Sequence, residues 1–311
     1  MLALAGSFIL FANSSKAETF QENFSSDPAA NGWRIFGDTN LFHWNSTNQN
    51  LEVTWDSSQT NSYFYRPLGT ILAQDDDFSL AFDLQLSDAE VGGYGFEIAI
   101  GFLNLADATS TNFIRGTGTD SPNLVEFDYF PDAGFGTSIT ATMTDTNSTF
   151  QFIWDSLPLV SGNVYHITLT HLAGAPMIGA EVSTNGQLCI SMPYAYLSTN
   201  FTDFRADTIS ISSYNDVDSG GSILAHGVVD NFVITTPPPP VGNLTGGFTN
   251  QAWQVQFLSR SNWLYSLERT ADFQTWMNVS PAISGNGTNL VLQDTNPPAD
   301  RAFYRIRAER P

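Results

Sequence analysis

Leu124-Val125-Glu126-Phe127-Asp128-Tyr129-Phe130-Pro131-Asp132 is the stretch on which the reading of this chain turns. Apolar and acidic residues alternate along it, which is the period of a β-strand. On such a strand Glu126, Asp128 and Phe130 share one face, and Val125, Phe127 and Tyr129 share the other. Two carboxylates two residues apart on one face repel each other. The pair persists only where a cation, a proton, hydrogen bonds or open solvent compensates. The apolar neighbours point to partial burial, which weakens the solvent explanation.

Outward from this strand the same period recurs. Phe78-Ser79-Leu80-Ala81-Phe82-Asp83-Leu84 puts four apolar side chains on one face. His166-Ile167-Thr168-Leu169-Thr170 and Thr208-Ile209-Ser210-Ile211-Ser212 alternate likewise. Gly, Asn, Asp and Ser punctuate the gaps, and no long segment carries a helical period. So many strands over about 220 residues predict an all-β fold, a two-sheet sandwich or jelly roll. Cys189, the single cysteine, lies in Leu188-Cys189-Ile190 and reads as a buried strand residue. With one cysteine there is no internal disulfide.

Composition sets the class. The 311 residues include 24 Phe, 10 Tyr and 7 Trp, enough for a large core. Asp and Glu number 31 against 11 Lys and Arg, a net charge of −20. That sign excludes electrostatic nucleic-acid binding and disfavours adhesion to anionic membranes. The acidity is uneven: residues 244–311 hold six arginines and five acids, and the rest holds 5 basic and 26 acidic residues.

Four segments follow. Leu2 to Ala12 is an apolar run too short to span a bilayer, and Ser15 and Ala17 fit a cleavage site. Residues 1–17 are therefore expected to be a signal peptide, with no membrane insertion and a secreted or cell-surface product. A basic n-region is missing, which points to Met1 as an internal start. Residues 18–235 are the jelly-roll domain. Residues 236–243, with Pro237 to Pro240, are a stiff linker. Residues 244–311 are a small β-sandwich module, with strands at Trp253-Val255-Phe257, Leu264 to Leu267, Leu290 to Leu292 and Phe303 to Arg307.

The acidic strand resembles one in the concanavalin A-like superfamily, particularly the L-type lectins, where Val-Glu-Phe-Asp-aromatic runs into a metal-binding loop. Gly92 to Ile100, Tyr165 to Leu169 and Ala180 to Ser183 resemble flanking strands in the same order. The resemblance implies a lectin that binds a polysaccharide or other glycan, with Ca²⁺ as its cofactor. Glu126 and Asp128 would be metal ligands, with a carbonyl from Tyr129 or Phe130 and with Asp132, a hard-oxygen set suited to calcium. Gly93, Tyr94, Gly116, Gly118 and Asp132 would contact the sugar. The family's downstream Asp-Pro and its histidine are missing, with Ser138-Ile139-Thr140 in that strand. Gly92-Gly93 replaces its sugar-gripping aspartate.

Two alternatives stay open. Laminarinase-like glycoside hydrolases of the same fold carry a third carboxylate further along this strand. Glu126 and Asp128 match the first two positions, but Phe130 and Pro131 fall at the third and cannot move a proton. A structural or adhesive surface protein is the other. Elsewhere, Glu22 with Asp230 could hold a structural calcium, and Asn215 to Gly221 is an acidic glycine loop that reads as a plain turn. Asp75-Asp76-Asp77 reads as a solvated turn. The four histidines have no metal spacing. Of the aromatics between Trp33 and Tyr65, most are expected in the core. The last module, through Tyr265 to Thr270, Asp272-Phe273, Trp276 and Phe303 to Arg307, resembles short β modules that end exported bacterial proteins. That implies a spacer, sorting or surface-attachment role.

Overall fold

The computed structural model describes residues 17–116, 121–173, 177–192, 200–299 and 301–311. The signal-peptide segment and Gly118 lie outside the described residues. The chain divides into two compact units, Glu18–Pro237 and Pro238–Pro311.

The first unit is built from two antiparallel sheets. One contains β1 (Glu18–Glu22), β3 (Phe42–Asn45), β4 (Asn50–Asp56), β6 (Phe78–Val91), β11 (Val164–Leu172), β12 (Met177–Thr184), β13 (Gln187–Met192) and β15 (Ile223–Thr236). Its order is β13-β12-β11-β6-β15-β4-β3, and β1 also pairs with β15. The other contains β2 (Arg34–Phe36), β5 (Ser62–Leu72), β7 (Ile98–Leu103), β8 (Leu124–Phe130), β9 (Ser138–Thr144), β10 (Phe150–Asp155) and β14 (Ala206–Ser213). Its order is β10-β9-β8-β7-β14-β5-β2. Among the described residues one short α-helix, α1 (Leu105–Ala108), leaves β7 and leads toward β8.

Alternation decides which side chains enter the core. On β6, Phe78, Leu80, Phe82, Leu84 and Leu86 are buried, and the residues between them are partly exposed. The sheets meet through aromatic rings: Phe82 of β6 lies edge-on to Phe127 of β8 at 6.0 Å, and Phe78 to Phe102 at 5.3 Å. Removing water from a ring of this size stabilises by about 1.5–3 kcal/mol. Of the N-terminal aromatics, Trp33, Phe42, Trp55, Tyr63 and Phe64 are in the core.

The second sheet departs from the simple pattern. β7, β8, β9 and β14 are buried at nearly every position, so both of their faces are covered. One face packs on the core. The other carries Glu126, Asp128, Thr140, Thr142, Ser210 and Ser212, all buried polar groups.

Two expectations need correction. Cys189 is exposed, because β13 is the outermost strand of its sheet. Asp76 is buried rather than solvated; its carboxylate accepts from the Ala73 amide and closes the turn before β6. Glu22 accepts from the Phe24 amide, Asn31 Nδ2 and Trp33 Nε1.

The second unit holds a three-stranded sheet of β16 (Val241–Thr249), β17 (Ala252–Ser259) and β21 (Asn289–Asp294). A further sheet is centred on β18 (Leu264–Thr270), with β19 (Met277–Asn278), β20 (Ile283–Ser284) and β22 (Phe303–Glu309). Its proline run is tied down: the Pro238 carbonyl accepts from Arg260 and the Pro240 carbonyl from the Tyr265 hydroxyl. Across β18 and β22, Glu268 pairs with Arg305 at 2.6 Å, and the Arg305 guanidinium lies 4.0 Å from the Trp276 ring.

Phe127→Ala is expected to cost about 3–5 kcal/mol, since it empties the contact between the two sheets. Denaturant unfolding of the variant checks this; a cost below 1 kcal/mol would contradict the packing described.

Candidate functional site

The polar face of β8 looks away from the core, as the alternation requires, but it does not meet solvent. Glu126 and Asp128 are each 0% exposed. What covers them is Arg115, from the segment between α1 and β8. Its Nε lies 3.3 Å from Glu126 Oε2 and its Nη2 3.1 Å from Asp128 Oδ2. A third carboxylate joins them: Glu97, just before β7, sits with Oε1 2.9 Å from Arg115 Nε. Arg115 is itself 4% exposed. The compensation that the strand demanded is thus an arginine from this same chain.

Neutral donors complete the cluster. The cross-strand register opposes Glu126 to Thr142 and Asp128 to Thr140. Both threonine hydroxyls donate to Asp128 Oδ2, at 2.9 Å from Thr140 and 2.5 Å from Thr142. From β14's end, the Tyr214 hydroxyl donates to Glu126 Oε1. On the other neighbour, Gly101 lies opposite Glu126. A Cβ at Gly101 would come within 2.6 Å of Glu126 Cα and 2.3 Å of the Val125 carbonyl, so glycine permits this close approach.

The loop that delivers Arg115 is held by aromatic stacking. Phe113 stacks on Tyr214 at 5.9 Å and meets Tyr63 edge-on at 6.4 Å. Ile114 and Ser121 bond reciprocally, amide to hydroxyl at 2.7 Å and amide to carbonyl at 2.8 Å. Burial, and next the charge of Glu126, push the phenols of Tyr63 and Tyr214 well above the ordinary tyrosine range. Tyr214 therefore keeps the proton it donates.

Above this cluster lies a cavity of about 550 Å³. Arg115, Thr140 and Thr142 form its floor, and Phe130, Phe150, Phe152 and Trp154 line one side. Tyr94, Phe96, Gly116, Asp216, Asp218 and Ser219 also line it. Phe135 is 77% exposed and packs against Trp154, itself 50% exposed, with ring centroids 5.7 Å apart. Tyr94 stays beside the cavity because Gly134 has no side chain; a Cβ there would come within 2.3 Å of the ring.

The residues singled out from the sequence are only partly brought together. Glu126 and Asp128 share the buried cluster, and Tyr94 and Gly116 line the cavity. Tyr129 turns its side chain into the core. Asp132 accepts from the Gly134 amide at 2.8 Å and shapes its own turn. Gly93 is exposed, with positive φ. Asp216 closes its loop: Oδ1 accepts from the Asp218 and Ser219 amides, and Oδ2 from the Ser222 hydroxyl.

The residues around Glu126 and Asp128 do not fit a calcium ion. A guanidinium already stands between the two carboxylates, with its N–H groups directed at the oxygens that a metal would need. Among the described residues, no three His, Cys, Asp and Glu side chains form a group that could hold a metal. Sequence reasoning missed Arg115 and Glu97 because both come from irregular segments with no period to place them. The one available signal was that Arg115 is among only five basic residues before residue 244.

No family model and no curated protein matches this chain. Solved structures are similar to it in fold. Winged bean acidic lectin complexed with methyl-α-D-galactose has a TM-score of 0.47 at 11% identity, over 71% of this chain and 99% of that one. Peanut lectin with a nine-residue peptide has a TM-score of 0.46 at 16% identity, over 71% and 98%. An alginate lyase has a TM-score of 0.40 at 11% identity, over 70% and 96%. The first unit is an all-β, two-sheet antiparallel sandwich, as the alternation of apolar residues along its strands predicts.

Tyr214→Phe is expected to cost about 1–3 kcal/mol, because Glu126 loses a buried donor. Denaturant unfolding measures it, and a neutral result would remove Tyr214 from the cluster. The phenols also set an alkaline limit. Unfolded, both ionise near pH 10; folded, both stay protonated. The stability linked to them is therefore complete below pH 10 and falls as pH rises above it. A phenolate absorbance titration should show two tyrosines ionising only with unfolding.

Proposed function

We propose that the first unit binds a glycan in the cavity above Arg115, without catalysis and without calcium. The observation that carries this reading is the pairing of exposed aromatic rings, Phe135 and Trp154, with a polar floor in one concavity. Pyranose rings present apolar C–H faces to such rings and hydroxyls to groups such as Thr140, Thr142 and Asp218. Binding sites commonly combine an apolar wall with a few placed polar groups in just this way. On this reading the chain is exported, as its N-terminal segment implies. The second unit then serves as a spacer or attachment module.

A hydrolase built on Glu126 and Asp128 is disfavoured by burial. A general acid or nucleophile has to touch the substrate. Both carboxylates lie beneath Arg115 and the two threonines, with no exposed surface. Each is also engaged by donors that favour its charged, accepting form.

Trp154→Ala and Phe135→Ala are each expected to weaken retention on the bound polysaccharide about tenfold, the ratio that a loss of about 1.4 kcal/mol in binding produces. Both rings are largely exposed, so the melting temperature should hardly move. Affinity electrophoresis against β-glucans, xylan, galactans and alginate checks it. Failure of the parent chain to be retarded by any of them would overturn the proposal.

A further inference from the structure

We infer that the cavity selects an uncharged glycan chain, held over at least two of its sugar units, and turns away chains that carry carboxylate or sulfate groups. This rests on the glycan-binding reading and names the class of glycan.

The length of the contact comes from β10. Phe150, Phe152 and Trp154 alternate along it and all line the cavity, while Ile153 between them packs against the core. Alternate residues of a strand stand about 7 Å apart, so the three positions cover about 14 Å. Phe152 is 48% and Trp154 50% exposed, so the row opens to solvent. The rings gather into two groups. Phe150 and Phe152 lie 5.1 Å apart at one end, and Trp154 meets Phe135 at 5.7 Å at the other. Two aromatic groups in a row offer C–H contacts to successive sugars of a chain. A free monosaccharide can use only one of them at a time.

The charge preference comes from the rest of the lining. Among the described residues that line the cavity, Arg115 is the one cationic side chain. It already serves three carboxylates, Glu97, Glu126 and Asp128, each within 3.3 Å. Asp216 and Asp218 add two further acids to the lining. Asp218 is exposed, and its turn uses its amide, which donates to Asp216, rather than its carboxylate. A uronate or sulfate entering here would meet like charge, and like charges brought together across an interface oppose binding. A sugar hydroxyl meets the same carboxylate as a donor, which is favourable.

Binding isotherms of the full chain on beads carrying matched polysaccharides test this. The pairs are hydroxyethylcellulose with carboxymethylcellulose, methyl-esterified with de-esterified homogalacturonan, and desulfated with native carrageenan. The uncharged member of the bound pair is expected to bind at least about tenfold more tightly at low salt. The gap should shrink between about 0.01 M and about 1 M NaCl, as the Debye length falls from about 30 Å to about 3 Å. Trp154→Ala should weaken the binding, which assigns it to the cavity. Asp218→Asn should narrow the gap about threefold, the effect of one unit charge several ångströms from another in water. Fragments of two or more sugar units cut from the bound polymer should displace it at concentrations where its monosaccharide does not. Equal or tighter binding of the anionic member, lost in Trp154→Ala, would overturn the inference and leave the glycan reading standing. So would a gap that Asp218→Asn leaves unchanged, because the net charge of the whole chain would then do the excluding. A monosaccharide that competes as well as the fragments would also overturn it. Binding of neither member of any pair would overturn the glycan reading, and this inference with it.

Discussion

Three buried carboxylates held by one guanidinium are the constraint around which the seven-stranded sheet is arranged. The arrangement explains why β7, β8, β9 and β14 are covered on both faces, although β8, β9 and β14 carry polar residues at alternate positions. It explains Gly101, where any side chain would strike the backbone that carries Glu126. It also explains the threonines of β9. Their hydroxyls fall opposite β8 in register and finish the hydrogen bonding of Asp128. A charge cluster of this kind adds little net stability against an apolar alternative, but removing one member leaves buried charge without compensation. Its contribution is specificity: one loop is held in one place.

The loop's placement connects the cluster to the surface. Phe113, Arg115 and Gly116 pass from the aromatic core around Tyr63 and Tyr214 to the cavity wall within four residues. Elsewhere the cavity lining is organised by hydrogen bonds. Ser222 accepts from the Phe96 amide and donates to Asp216, which in turn gathers the amides of its own turn. The cavity floor is therefore rigid where Arg115 holds it. Among the described residues the most exposed aromatic, Phe135, stands in the turn between β8 and β9.

Much of the fold was legible in the sequence because period two is a local signal. Phe78 to Leu84 and Leu124 to Phe130 announce their faces without reference to the rest of the chain. The pairing of Glu126 and Asp128 on one face was legible for the same reason, as was the need for compensation. What supplied it was not legible. Arg115 lies in a segment without periodicity, and Glu97 sits where a strand begins. Only tertiary structure brings them to β8. Cys189 shows the converse error. Leu188-Cys189-Ile190 looks like an interior strand, but on this outermost strand Leu188 and Cys189 are exposed and only Ile190 packs against the core. Local pattern specifies which way a side chain points, and topology specifies what it meets.

The most direct measurement is an experimental electron-density map of the chain at a resolution that separates a guanidinium from an ion with its waters. The expected result is continuous side-chain density for Arg115 ending between Glu97, Glu126 and Asp128, with no anomalous signal from a calcium-soaked crystal at that place. Arg115 turned out to solvent, with a metal ion seated between the two carboxylates of β8, would contradict it.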